Sequence, residues 1–280
     1  MRDPSQFRLL LARRFGPFFV TQTLGAFNDN VYKNALVILL TFGVAGLSAD
    51  DVNLYVNLAA GLFILPFFLF SATAGQIAEK YEKAWLIRYV KLFEMAVMGL
   101  AVIGFVAGSV PLLMAVLFLM GAQSALFGPV KYSILPQHLH ETELVGGNAL
   151  VEAATFLAIL LGTMLGGWLM ARAGGPEWVS AVVVVVAGLG YLAARGIPPA
   201  LPTAPDLRIN WNPLTETWRN LRFMQTNRTV LLAVMGISWF WFYGAMFLSQ
   251  LPNYSKLHLG GDATVVTLLL TVFSLGVGIG

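Results

Sequence analysis

Four polar residues in one apolar run, Gln22, Asp29, Asn30 and Lys33, are spaced so that a helix carries them on one face. Apolar sequence flanks them on both sides, from Phe15-Gly16-Pro17-Phe18-Phe19-Val20 to Ala35-Leu36-Val37-Ile38-Leu39-Leu40. A charged side chain at the middle of a bilayer costs about 2.5–3.5 kcal/mol on insertion scales. It persists where it faces a polar cavity or a partner, so Asp29 and Lys33 point to a polar path through a membrane. The competing reading is an ion pair, with Asp29 one helical turn ahead of Lys33, that only pins helix packing.

Three other stretches carry polar groups at helical spacing. Gly147-Asn148-Ala149-Leu150-Val151-Glu152 places Asn148 and Glu152 on a shared face, and Glu152 is as costly to bury as Asp29. Lys131, followed by Tyr132, reads either as a compact cation for a phosphate or as a lysine that snorkels to the membrane edge. Gly121, Gly128, Pro129 and Pro136 loosen the helix around it. Lys91 and Glu94, a turn apart, read as a structural pair that neutralises itself. In Gly75-Gln76-Ile77-Ala78-Glu79-Lys80-Tyr81-Glu82-Lys83, the glycine permits close helix approach, and Glu79, Lys80 and Lys83 suit a gate network. A basic loop and nothing more is the alternative. Gly162-Thr163-Met164-Leu165-Gly166 is a helix-packing motif.

Other chemistries find little support. The chain has no cysteine, which removes thiolate metal sites and thiol catalysis. His138-Leu139-His140-Glu141-Thr142-Glu143 has a histidine and an acid at acyltransferase-like spacing, but in a loop with no further ligands. No phosphate-cradling glycine loop with its lysine occurs, so ATP hydrolysis is not expected. No catalytic residue, metal site or cofactor is assigned.

These residues need helices to hold them. The chain is 58% hydrophobic and 11% charged, against about 25% charged in a soluble domain, and it reads as a multi-pass, all-α membrane protein. Apolar runs of spanning length cover Phe15–Leu47 (longer than needed, and so expected to tilt or to break near Gly25), Leu54–Ala72, Ala84–Val106, Pro111–Leu135, Leu144–Met170, Val179–Ala194 and Val230–Leu251. An eighth begins near Ala263 and is still apolar at Gly280, which reads as a truncated span. The net charge is only +3, and the basic residues sit in short loops, so the basicity reads as topology and not as nucleic-acid binding. Arg2, Arg8, Arg13, Arg14, Lys80, Lys83, Arg88, Lys91, Lys131, Arg195, Arg208, Arg219, Arg222 and Arg228 fall on one side, against Arg172 and Lys256 on the other. That asymmetry puts the N-terminus in the cytoplasm. The expected organisation is a six-helix bundle over 1–196, a cytoplasmic linker over 197–228 and the first two helices of a second bundle over 229–280. The linker opens on Pro198, Pro199, Pro202 and Pro205 and then offers an amphipathic helix, with Leu214, Trp218, Leu221 and Met224 on one face.

That layout resembles the major facilitator superfamily, with Glu79 standing where the signature after the second helix usually has Asp. The blocks Ala26-Phe27-x-Asp29-Asn30, Gly75-Gln76-x-Ala78, Pro129-x-Lys131-Tyr132-x-Ile134-Leu135 and Gly147-Asn148-x-Leu150-x-Glu152-Ala153 are similar to the bacterial lysophospholipid transporter family within it. The Phe27-Asn28-Asp29-Asn30-x-x-Lys33-Asn34 version resembles the form fused to acyltransferase and acyl-carrier-protein synthetase domains. The resemblance implies alternating-access flipping of lysophosphatidylethanolamine-like lipid inward across the bacterial inner membrane for reacylation, with Na+ or H+ as candidate coupling ions. It places Asp29, Asn30, Lys131, Asn148 and Glu152 on the polar pathway. A facilitator of a soluble anion or drug with Asp29 as proton site, and the membrane anchor of a lipid-acylating enzyme, are the alternatives.

Overall fold

The computed structural model describes residues 6–43 and 48–260, together with positions 265, 268, 269, 272, 273 and 276. The expected eighth span therefore lies largely outside the described residues. Every regular element among the described residues is helical. The chain divides into two compact units, Met1–Pro213 and Leu214–Gly280.

In the first unit, a 3-10 turn at Gln6–Leu11 precedes α1 (Gly16–Ile38), α2 (Ala49–Lys80), α3 (Lys83–Val106), α4 (Val110–Ser133), the short α5 (Leu135–His138), α6 (Glu141–Met170) and α7 (Gly175–Ala194). Among the described residues, Asp50–Lys80, Lys83–Val106, Val110–His138, Glu141–Met170 and Gly175–Ala194 are long and apolar enough to cross a membrane. Together with the apolar composition, they make this a multi-pass membrane protein. α1 does not reach that hydropathy, although its 23 residues are about 34 Å long. Its neighbours supply the reason: α1 packs on α4, α6 and α7, and Thr21, Gln22, Asn28 and Asn30 are buried. Protein, not lipid, surrounds its polar positions.

Helix starts follow local chemistry. Ser48 and Asp51 form a reciprocal capping box that begins α2 upstream of its apolar run. The Glu82 carboxylate accepts from the amides of Ala84 at 2.8 Å and Trp85 at 2.7 Å and starts α3. The expected break of the first helix near Gly25 does not occur. α1 continues through it and becomes irregular only at Leu39–Gly43, in a π-helical turn. Gly25 serves packing instead, because a Cβ there would collide with the Lys91 ammonium.

The same logic joins α1 to α6. A Cβ on Gly162 would lie 2.5 Å from the Phe27 carbonyl oxygen, and one on Gly166 would fall on the Val31 backbone. The two glycines thus let the helix backbones touch, which in a bilayer replaces the missing hydrophobic drive with dispersion contact. Two apolar clusters flank the middle of the unit. One centres on Val31, Tyr32, Leu36, Met98, Leu117 and Val183, the other on Phe15, Phe18, Ile87, Ile134, Val151 and Ala194.

α8 (Pro213–Thr226) starts on the last residue of the first unit, and the second unit holds the rest of it and α9 (Arg228–His258). Proline at the first position loses no helical bond, and the Asn227 side chain caps α9 through the amides of Thr229 and Val230. Leu214, Trp218 and Leu221 of the expected amphipathic face are exposed.

Replacing Gly166 by Leu should push α1 from α6 and cost about 1–3 kcal/mol or more, read as a lower thermal midpoint of the detergent-purified protein. Gly188→Ala, where a Cβ meets nothing within 4 Å, should leave the midpoint unchanged.

Candidate functional site

Between the two apolar clusters lies a buried polar network. The Lys91 ammonium sits 2.5 Å from Glu94 Oε2, and their side chains are 1% and 3% exposed. Glu94 Oε1 accepts from Asn28 Nδ2 at 3.1 Å, which also donates to the Val183 carbonyl at 3.2 Å. Gln123 Nε2 reaches Glu94 Oε2 at 3.4 Å. The Ser124 hydroxyl donates to Asp29 Oδ2 at 2.7 Å and lies 3.2 Å from Gln123 Oε1. One carboxylate on α3 therefore ties α1 and α4 together, and Asn28 extends the tie to α7. Buried ions survive only with their attraction and hydrogen bonds intact, and Gly25 leaves the room that the Lys91 ammonium needs.

The expected self-neutralising pair of Lys91 and Glu94 does form, but it is the anchor of a larger site. Asn28, Gln123 and Ser124 escaped the sequence reading. Asn28 points about 100° away from Asp29 around the helix, so the face drawn through Asp29 omitted it. Gln123-Ser124, a polar step inside apolar α4, was the available signal.

Lys33 does not make the ion pair of the competing reading. Among the described residues no Asp29–Lys33 contact falls within 4 Å, and the Lys33 ammonium lies 4.4 Å from the centre of the Phe63 ring. Asn30 donates to the Ala26 carbonyl of its own helix at 2.7 Å, and Asn148 likewise to Leu144 at 2.8 Å. Neither joins a cluster.

A second polar group brings Gln22, Lys131, Tyr132 and Glu152 together. The Tyr132 hydroxyl donates to Glu152 Oε1 at 2.6 Å, and the Lys131 ammonium stands 3.8 Å from that same oxygen. Lys131 donates to Thr155 Oγ1 at 3.1 Å, and the Thr155 hydroxyl lies 3.1 Å from Gln22 Oε1. Thr155 is the unforeseen bridge, one turn beyond Glu152 on α6. Glu152 is 34% exposed in its side chain and Lys131 12%, so this pair is open where the Lys91 pair is sealed.

The residues expected to gate lie at the basic end of the unit and hold the segment after α7. Lys83 is fully buried and donates to the Leu201 carbonyl at 3.2 Å and Thr203 Oγ1 at 3.1 Å. The Glu79 carbonyl accepts from the amides of Thr203 and Ala204. Gln76 and Asn210 exchange two hydrogen bonds, Glu82 accepts from the Ala200 amide, and Arg88 donates to the Ile197 carbonyl. Gly75 makes no close approach, since a Cβ there would meet nothing within 4 Å, and the Lys80 ammonium lies 5.9 Å from the Tyr81 ring centre. Nearby, Arg14 grips Glu143 with two 2.6 Å bonds, so the loop acid that suggested acyl transfer is an anchor for the start of α1. An apolar pocket of about 300 Å³ is lined by Leu69, Phe70, Thr73, Ile77, Leu126, Trp211 and Pro213.

Removing the clamps on the segment after α7 should expose that segment. Gln76→Ala with Lys83→Met should speed tryptic cleavage after Arg208 by about tenfold or more, since each lost bond is worth roughly 1 kcal/mol. An unchanged rate would show that the remaining contacts suffice.

The Major Facilitator Superfamily model matches residues 18–280. Among curated proteins, the chain is similar to the lysophospholipid transporter LplT of Photorhabdus laumondii, 27% identical over all of the chain and 67% of that protein. It is 28% identical to the protein of that name from Cronobacter sakazakii, over 96% of the chain and 64% of the relative. The Escherichia coli O1:K1 protein is also 28% identical, over 93% and 63%. The chain thus spans about two thirds of the length of these relatives. With its helical, multi-span architecture and a family match over nearly its whole length, this chain belongs to the Major Facilitator Superfamily.

Proposed function

We propose that this chain serves a secondary transporter that moves a lysophospholipid of the lysophosphatidylethanolamine kind inward across the bacterial inner membrane. The reading is of a transporter, not an enzyme, working by alternating access with its N-terminus in the cytoplasm. The internalised lipid would then be available for reacylation.

One observation carries the proposal: charges of both signs stand inside an apolar bundle, in an open pair and a sealed network. A lysophosphatidylethanolamine headgroup needs a cation for its phosphate and an acid for its ammonium. Lys131, held by Thr155 and only 3.8 Å from Glu152, suits the first. Glu152 and Asp29 suit the second: the Tyr132 hydroxyl donates to Glu152 and the Ser124 hydroxyl to Asp29. The apolar pocket beside Phe70 suits part of an acyl tail. The basic end of the unit, with Arg14, Lys83 and Arg88, argues for cytoplasmic placement of that end. The similarity to lysophospholipid transporters favours the lipid over a soluble anion.

Spheroplasts expressing the protein should take up labelled lysophosphatidylethanolamine, and Asp29→Asn should lower that uptake about tenfold at equal membrane abundance, the loss expected for one charge-assisted contact. Asn148→Ala, which removes only a bond within its own helix, should change it little. Normal expression without lipid uptake above an empty-vector control sinks the reading. A soluble anion taken up in its place would favour the facilitator alternative.

A further inference from the structure

We propose that Glu94 is a positioning residue for Asp29: it holds α1 and α4 in the rotation that turns the Asp29 carboxylate onto Ser124. The inference rests on the reading of Asp29 as a headgroup contact.

Glu94 is bonded to the residue before each member of the Asp29–Ser124 pair. On α1 it takes a hydrogen bond from Asn28, and on α4 from Gln123. Successive helical residues are rotated by about 100°, so fixing Asn28 toward α3 and α7 fixes Asp29 toward α4. Fixing Gln123 does the same for Ser124. The two orientations meet at the 2.7 Å bond between Ser124 and Asp29.

The polarity of the network is set by Glu94 as well. Asn28 spends its amide nitrogen on two acceptors, Glu94 and the Val183 carbonyl, while its oxygen is buried with no hydrogen-bond partner among the described residues. Turning the amide over would set that oxygen against both acceptors, so the carboxylate dictates which way Asn28 faces. Lys91 in turn holds Glu94, and its ammonium fills the space left by Gly25. At 2% exposure Glu94 is out of reach of a substrate, so it acts through its neighbours.

The test compares Lys91→Met/Glu94→Gln, which removes both charges together and strands neither, in the parent and in Asp29→Asn. In the parent, the double variant should keep its membrane abundance and Vmax while KM for lysophosphatidylethanolamine uptake rises about tenfold. The infrared carboxylate band assigned by its loss in Asp29→Asn should move. In Asp29→Asn the double variant should raise KM no further. Equal losses in both backgrounds, or an unmoved Asp29 band, overturn the positioning role and leave a helix pin. If the double variant does not fold, Gln123→Leu, which keeps the ion pair, is read by the same band and the same cycle. Parent protein without lipid uptake would instead refute the function proposed above, and the Asp29 band would still decide whether Glu94 positions that carboxylate.

Discussion

A helix that carries Gln22, Asn28, Asp29, Asn30, Lys33 and Asn34 cannot be left against hydrocarbon, and the rest of the first unit is arranged around that constraint. α4, α6 and α7 enclose α1, and the glycines of α6 bring its backbone onto that of α1 along the Phe27–Val31 stretch. Contact that close works only between bare backbones, which is why the packing motif stands on the helix facing the most polar one. The polar side chains then find partners from neighbouring helices. Asn28 reaches α3 and α7, Asp29 reaches α4, and Asn34 donates to the Thr163 carbonyl of α6 at 2.7 Å.

The apolar clusters at either end make this arrangement possible. Phe15 and Phe18 belong to one, Val31, Tyr32 and Leu36 to the other, so α1 is clamped above and below its polar middle. Even there, the Tyr32 hydroxyl, deep in its cluster, donates to the Leu113 carbonyl at 2.7 Å. Fixing both ends of α1 limits how far the middle can rotate, and the short hydrogen bonds of the network depend on that limit.

Sequence patterning revealed the helices, their order and most of the charged participants, because burying a charge in a bilayer is costly enough to leave a visible mark. The grouping of those charges was less legible. Gln22, Lys131, Tyr132 and Glu152 meet as a set, but Thr155 went unnoticed because a threonine in an apolar helix is common and its hydroxyl can bond within its own turn. Lys91 and Glu94 were read as self-sufficient, since spacing along one helix says nothing about donors arriving from α1 and α4. Gly25 was misread as a breaker because local propensity describes a glycine in isolation, whereas the Lys91 ammonium beside it is a tertiary fact. Gly75 and Lys83 show the converse: the signature drew attention to the right corner, but Lys83 is engaged with the backbone of the segment after α7, a contact across more than a hundred residues of chain.

The two ion pairs differ in a way that bears on how a path through the bundle can be both specific and passable. Lys91 and Glu94 are sealed, at 2.5 Å, and separating them would leave unpaired charge in a medium of low dielectric. Lys131 and Glu152 stand 3.8 Å apart with the acid one-third exposed, and each has a neutral partner, Thr155 or Tyr132, that can hold it if the other charge departs. An arriving zwitterion can replace each of those charges for the other at little net electrostatic cost, because two opposite charges are traded for two opposite charges. The sealed pair lacks that freedom, so it suits fixing geometry, and the open pair suits exchange. On the proposed function, Asp29 lies at the junction: it belongs to the sealed network through Ser124, whose hydroxyl it would release when a headgroup arrives.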